Sequence, residues 1–138
     1  MPPTPGPLTH VALTVSDLQR SAAWYTQLFG VAPFHTGTFL ADTEHEYEAA
    51  IWATPSLGLH CFVGKVDGEF NARRPGLDHI AIGCIDRASL DEWVVHLDAL
   101  GVQHDGVLDE TYGAGLAVRD PDGIALEFFT SHRPVAAG

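Results

Sequence analysis

The chain has 138 residues, 46% of them hydrophobic and 18% charged, which is room for one ordinary domain with a buried core and not for two independent domains of standard size. Seven basic residues against 18 acidic ones leave a formal net charge of −11, which argues against binding to nucleic acid or to an anionic membrane by phosphate neutralisation and leaves a small molecule or a protein as partner. Only two cysteines are present, Cys61 and Cys84, and the longest apolar runs fall well short of a membrane span, so the expectation is a soluble, reduced, cytoplasmic protein.

Residues 1–7 hold four of the nine prolines and read as a tail, as do residues 132–138. Between them the chain repeats itself. Leu8-Thr9-His10-Val11-Ala12-Leu13 matches Leu77-Asp78-His79-Ile80-Ala81-Ile82, and the same spacing carries Asp17 onto Asp86, Trp24 onto Trp93 and Leu28 onto Leu97. Val11, Leu13 and Val15 alternate, as do Ile80, Ile82 and Cys84, which predicts a strand with one face on a helix and with His10, Ala12 and Thr14 on the other. A helix is expected from Ser16 to Gly30. The second helix is expected from the capping-box spacing Ser89-x-x-Glu92, from Leu90, Trp93, Leu97 and Leu100 at helical intervals, and from Gly101 as its stop. Strand-like runs follow at Glu46 to Thr54, Leu59 to Gly64, Gly115 to Arg119 and Ile124 to Thr130. Each half thus reads as β-α-β-β-β. The first module spans about 8–66, a linker 67–76 and the second module about 77–131, all within one 138-residue domain.

His10 and His79 occupy equivalent positions on the face away from the helix. Allowing one inserted residue, the run ending Leu59-His60-Cys61-Phe62 matches Leu126-Glu127-Phe128-Phe129, which sets His60 opposite Glu127. A carboxylate inside an Ala-Leu-Glu-Phe-Phe run is costly to bury without a positive partner, by several kcal/mol in order of magnitude. Lys and Arg are scarce, whereas imidazole with carboxylate suits one divalent ion such as Fe, Zn, Ni, Co or Mn. His10, His60, His79 and Glu127 are therefore the candidate metal ligands. His60 and Glu127 are also the candidate catalytic residues, with hydrogen-bonded interior groups as the competing reading for all four.

Other residues have plainer expectations. Trp24 and Trp93 are expected in the core; Trp52, Phe62 and Phe129 are divided between core and pocket wall. Cys61 and Cys84 are expected to point toward the helices and to be inert. His35, His45, His104 and His132 fall in turn-like or terminal segments and His96 on a helix, with no role assigned. Asp120-Pro121-Asp122-Gly123 reads as a turn, Glu44, Glu46 and Glu48 as a solvated face, and Arg73-Arg74 as solvated linker. Arg119 is expected to pair with Asp120 or Asp122, and Tyr112-Gly113-Ala114-Gly115 is either a lid or a strand entry.

On Leu8 to Leu18 with Trp24-Tyr25, Leu77-Asp78-His79-Ile80-Ala81, and Arg119-Asp120-Pro121-Asp122-Gly123-Ile124-Ala125-Leu126-Glu127, the chain resembles the vicinal oxygen chelate superfamily. That superfamily groups glyoxalase I, methylmalonyl-CoA epimerase, extradiol dioxygenases and the fosfomycin and bleomycin resistance proteins. The resemblance covers Leu8 to Thr130. It implies an α+β glyoxalase-like fold of two paired βαβββ modules whose sheets curl around a metal and substrate cavity, with ligands on the first and last strands of each module. It also implies a homodimer and a small substrate that chelates the ion through adjacent oxygens, by enolate stabilisation in a lyase or isomerase, or by O₂ activation in a dioxygenase. Glyoxalase I-like members carry a glutamate base where this chain has His60, a departure that counts against glyoxalase I activity itself. The alternative within the same fold is a metal-free drug-sequestering protein of the bleomycin-resistance kind; a third role is structural, with the metal joining the modules.

Overall fold

The first strand of each half is short and alternates large apolar with small residues, so it forms only when its apolar face is covered. In the computed structural model, which describes residues 1–62 and 68–132, a helix supplies that cover in both halves. Two compact units result, Met1–Asp67 and Gly68–Gly138. The first contains β1 (Val11–Thr14), α1 (Leu18–Phe29), β2 (His35–Phe39), β3 (Tyr47–Trp52) and β4 (Leu57–Phe62). The second contains β5 (Ile80–Gly83), α2 (Arg87–Leu100), β6 (Leu108–Glu110), β7 (Gly113–Arg119) and β8 (Ala125–Ser131). Both follow the expected β-α-β-β-β order. Val63, Gly64 and Asp67, which the sequence placed in the last strand and the linker, and residues 133–138 of the tail lie outside the described residues.

The sheets are mixed and share one topology, β1-β4-β3-β2 and β5-β8-β7-β6. In each, the first strand runs parallel to the last, and the remaining pairs are antiparallel. The helix makes the crossover that a parallel neighbour requires.

Helix ends follow from a few side chains. Asp17 caps α1 by accepting the Arg20 N–H, and Asp86 caps α2 by accepting the Ser89 N–H and hydroxyl. The capping-box reading of Ser89 is thereby corrected: α2 starts one turn earlier because a carboxylate was available at Asp86, and Ser89 donates to that cap. The two hydrogen bonds from Ser89 hold the Asp86 carboxyl below its ordinary pKa. Gly30 and Gly101 end the helices with φ of 70° and 71°, a left-handed turn that favours glycine.

Each unit has its own core between sheet and helix. In the first, Leu13, Val15, Tyr25, Leu28, Trp52 and Leu59 are all buried. Trp52 belongs there rather than to a pocket wall, since its indole N–H donates to the Val31 carbonyl at 2.9 Å and its ring packs on Tyr25 and Phe29. In the second, Leu90, Leu97, Leu116, Leu126 and Phe128 are buried, and Trp93 stacks on Phe128 with ring centroids 3.9 Å apart. The Cys61 thiol reaches toward the Ser16 carbonyl, and burial pushes the Cys84 thiol up in pKa, away from the activated form.

Candidate metal centre

The face of each sheet opposite the helix carries the residues of interest. In the second unit, Glu127 stands on β8 beside Ala81 of β5 and Ala117 of β7. His79 immediately precedes β5 and brings Nε2 to 3.9 Å from Glu127 Oε2. Its other nitrogen, Nδ1, lies 2.6 Å from Asp78 Oδ1. Gly115 on β7 makes room for the carboxylate: a Cβ there would come to 2.9 Å from Glu127 Oε1. Gly113 does the same for the Phe129 ring. Around them is a cavity of about 310 Å³ lined by Leu108, Tyr112, Gly113, Gly115, Glu127 and Phe129, with Tyr112 stacked on Phe129 at 6.2 Å. Tyr112 to Gly115 is therefore strand entry and cavity wall, paired into the ladder from Gly113 onward.

In the first unit, His10 precedes β1 as His79 precedes β5, with Thr9 Oγ1 at 3.0 Å from its Nδ1. His60 on β4 is half-buried, and its ring lies over Gly58, with Nε2 3.6 Å from where a Gly58 Cβ would stand. Tyr47 stacks on that ring at 4.3 Å and 19° between planes, and Phe39 stacks in turn on Tyr47 at 5.3 Å and 12°. Loss of hydration, followed by the charge on His10, holds the His60 imidazole below its ordinary pKa. At neutral pH its ring is uncharged, the form that ligates a metal or accepts a proton.

The strand registers correct one sequence-level equivalence. Ala12 pairs with Gly58 and Ala81 with Glu127, while Val15 N–H donates to the His60 carbonyl and Cys84 N–H to that of Phe129. The module-two counterpart of His60 is thus Phe129, and that of Glu127 is Gly58. The first and last strands keep one common spacing between the modules, and the extra residues of the second module fall in its β7–β8 turn rather than within the last strand. His60 reaches the Glu127-like position by folding its ring back over the glycine.

Several smaller expectations change as well. His35 opens β2 and contacts the Phe34 and Phe39 rings, so it is not in a turn. His104 is no solvated turn residue: it bridges the Asp98 carboxylate at 2.7 Å and the Gly106 N–H at 3.0 Å. Arg119 donates to the Gly123 carbonyl at 3.2 Å. The Asp120 to Gly123 turn forms as expected, because the Asp120 carboxylate accepts from the N–H groups of Asp122 and Ile124. Phe62 is exposed, and Phe129 lines the cavity.

Tyr47 and Phe39 were not singled out from sequence, Tyr112 was marked only as part of a lid or strand entry, and Asp78 only as part of the repeat. Asp78 had a usable signal in its place beside a repeated histidine; Tyr47 had only strand alternation, which does not tell a stacked ring from a solvated one.

The donor chemistry fits a divalent cation. An Asp carboxylate only accepts, so the 2.6 Å contact places a proton on His79 Nδ1 and leaves Nε2 to face a second carboxylate across a gap too long for a hydrogen bond. That gap is a small rotation from the ~3.0–3.4 Å that separates neighbouring ligands with bonds of about 2.1 Å. Among the described residues, no group of three or more His, Cys, Asp or Glu that could hold a metal ion occurs. No helix among them is long and apolar enough to cross a membrane.

Residues 8–128 match the model of the Glyoxalase/Bleomycin resistance protein/Dioxygenase superfamily. The fold is similar to that of the glyoxylase/bleomycin resistance protein/dioxygenase domain from Frankia sp. EAN1pec, with 26% identity, TM-score 0.75 and 96% of each chain covered. It is similar to lactoylglutathione lyase from Agrobacterium tumefaciens, with 21% identity, TM-score 0.60 and coverage of 91% of this chain and 93% of that one. A variant of the fosfomycin resistance protein FosX from Listeria monocytogenes, complexed with Mn(II) and 1S,2S-dihydroxypropylphosphonic acid, matches at 19% identity and TM-score 0.61, with 91% and 92% covered. No curated protein sequence matches.

Proposed function

This chain belongs to the glyoxalase/bleomycin resistance protein/dioxygenase superfamily, and we propose that it is a divalent-metal-dependent enzyme whose small substrate chelates the ion through adjacent oxygens. His10, His60, His79 and Glu127 are the proposed ligands, two from each module, in a protein that acts as a homodimer. The observation that carries this reading is His79 Nε2 facing the Glu127 carboxylate at 3.9 Å while Nδ1 is held by Asp78. The FosX variant crystallised with Mn(II) supports the metal part of the proposal.

When bound, the ion supplies Lewis acidity toward an enolate oxygen, or a coordination position for O₂ if it is Fe(II). The chain's own residues do the rest. Glu127 presents a donor in the wall of a 310 Å³ cavity that takes a small molecule, with Tyr112 and Phe129 as its apolar wall, and His79 Nε2 stands 3.9 Å from that carboxylate. His60, uncharged and held face-on by Tyr47, ligates or accepts a proton from substrate carbon. The proton-transfer branch, a lyase or isomerase, draws on that neutral imidazole; the dioxygenase branch draws on a set with one carboxylate among histidines.

The test is metal per chain in protein purified without chelator or affinity metal, then after reconstitution with Fe(II), Zn(II), Ni(II), Co(II) or Mn(II). We expect near-stoichiometric uptake, reduced more than about 100-fold in affinity by Glu127→Gln, since loss of a ligand exceeds loss of its support. No uptake on reconstitution, with tight binding of a flat aromatic ligand, would establish the sequestering protein instead.

A further inference from the structure

Asp78 and Thr9 stand at equivalent positions of the duplication, each one residue before a candidate ligand and each with an oxygen on the Nδ1 of that histidine, at 2.6 Å and 3.0 Å. The same local device has therefore been built twice, with different chemistry. A carboxylate accepts only, so it dictates which nitrogen of His79 carries the proton. A hydroxyl donates or accepts, so Thr9 orients the His10 ring without dictating its tautomer.

We propose that Asp78 is the positioning residue of the second module: it locks His79 in the Nδ1–H tautomer and aims Nε2 at Glu127, while Thr9 is a weaker counterpart for His10. This rests on the metal reading above for its consequence, but the tautomer itself is a property of the metal-free chain. The side chains point the same way. Asp78 is well exposed, at 77%, and so contributes little to the core, whereas His79 is at 44% and Glu127 at 28%, progressively further into the sheet face. A surface carboxylate so close to an imidazole that faces a second, more enclosed carboxylate serves orientation better than packing. It also raises the donor strength of the ring, as a carboxylate behind a ligating imidazole does in metal sites generally.

The experiment uses the full chain with Asp78→Asn, Asp78→Ala and Thr9→Val. Long-range ¹H–¹⁵N spectra of the metal-free protein read the His79 tautomer, and competition against a chromophoric chelator reads Zn(II) and Mn(II) affinity. We expect the Nδ1–H form in wild type and in Asp78→Asn, whose amide oxygen still accepts, and a shift to Nε2–H in Asp78→Ala. Metal affinity should fall about 10- to 100-fold in Asp78→Ala, less in Asp78→Asn, and least in Thr9→Val. An unchanged His79 tautomer in Asp78→Ala, or metal affinity equal to wild type there, overturns the inference. A wild-type chain that takes up no metal overturns the proposed function, while the tautomer readout still decides the role of Asp78.

Discussion

The two modules share a backbone ladder and furnish it in opposite ways. Following the registers outward from Gly58 and Glu127, Ile51 of β3 corresponds to Ala117 of β7, Ala49 to Gly115 and Tyr47 to Gly113. The first module fills its open face with rings, Phe39 on Tyr47 on His60. The second strips the same positions to glycine and alanine and gains a 310 Å³ cavity with a carboxylate in its wall. The helix side differs much less: Leu28 and Leu97 are both buried, as are Leu59 and Phe128. Duplication therefore conserves the side that must exclude water for the unit to fold, and leaves the other side free to diverge in volume, ring content and donor type.

The two β7 glycines give the sharpest way to break this contrast. A Gly113→Ala methyl would run into the Thr130 carbonyl and the Phe129 ring, so denaturant unfolding should show a loss of about 1–3 kcal/mol. Gly115→Ala meets only the movable Glu127 carboxylate; it should leave unfolding nearly unchanged and weaken metal binding about tenfold by turning that ligand away. If both variants behave alike, the glycines are not shaping a ligand site.

A pH series tests the first module's half-buried ring. His60 titrates near 6.5 when unfolded and lower when folded, so between those two values the unfolded chain holds more protons. Stability of chelator-treated protein should therefore fall as pH drops below about 6.5 and level off below the folded value. His60→Phe, which copies Phe129 of the second module, should flatten that slope in urea midpoints measured at pH 7.5 and 5.5.

The smallest effect concerns the helix side. Ser21 on α1 corresponds to Leu90 on α2; both are fully buried, and the Ser21 hydroxyl has no hydrogen-bond partner among the described residues. Ser21→Ala should raise stability by about 1 kcal/mol in thermal or urea unfolding, because an unmet buried hydroxyl is removed. A loss of stability would mean the hydroxyl is satisfied in solution.

Much of the fold was legible because the duplication doubles each local signal. Alternation at Val11, Leu13 and Val15 reappears at Ile80, Ile82 and Cys84, and both helices stop at a glycine that takes positive φ. Alternation in the last strands set His60 and Glu127 on the face opposite Leu59, Leu126 and Phe128, and those three are the buried side. The equivalence drawn between His60 and Glu127 failed because residue-type similarity, Leu-His against Leu-Glu, was preferred to the spacing already set by the first strands, with which the last strands pair directly. Ser89 was misread for a related reason, since a capping box scores its own four residues and does not see a stronger acceptor three positions earlier.

Sequence by itself determined the module order, the faces of the strands and the histidines and carboxylate that deserve suspicion, because periodicity and repetition are properties of the chain written in one dimension. Only tertiary structure decided that Tyr47 lies flat on His60, that Gly113 and Gly115 hollow out one sheet, and that Asp78 turns His79 toward Glu127. Those are contacts between neighbouring strands or rings, set by register and side-chain rotation, and neither is fixed until the strands have paired.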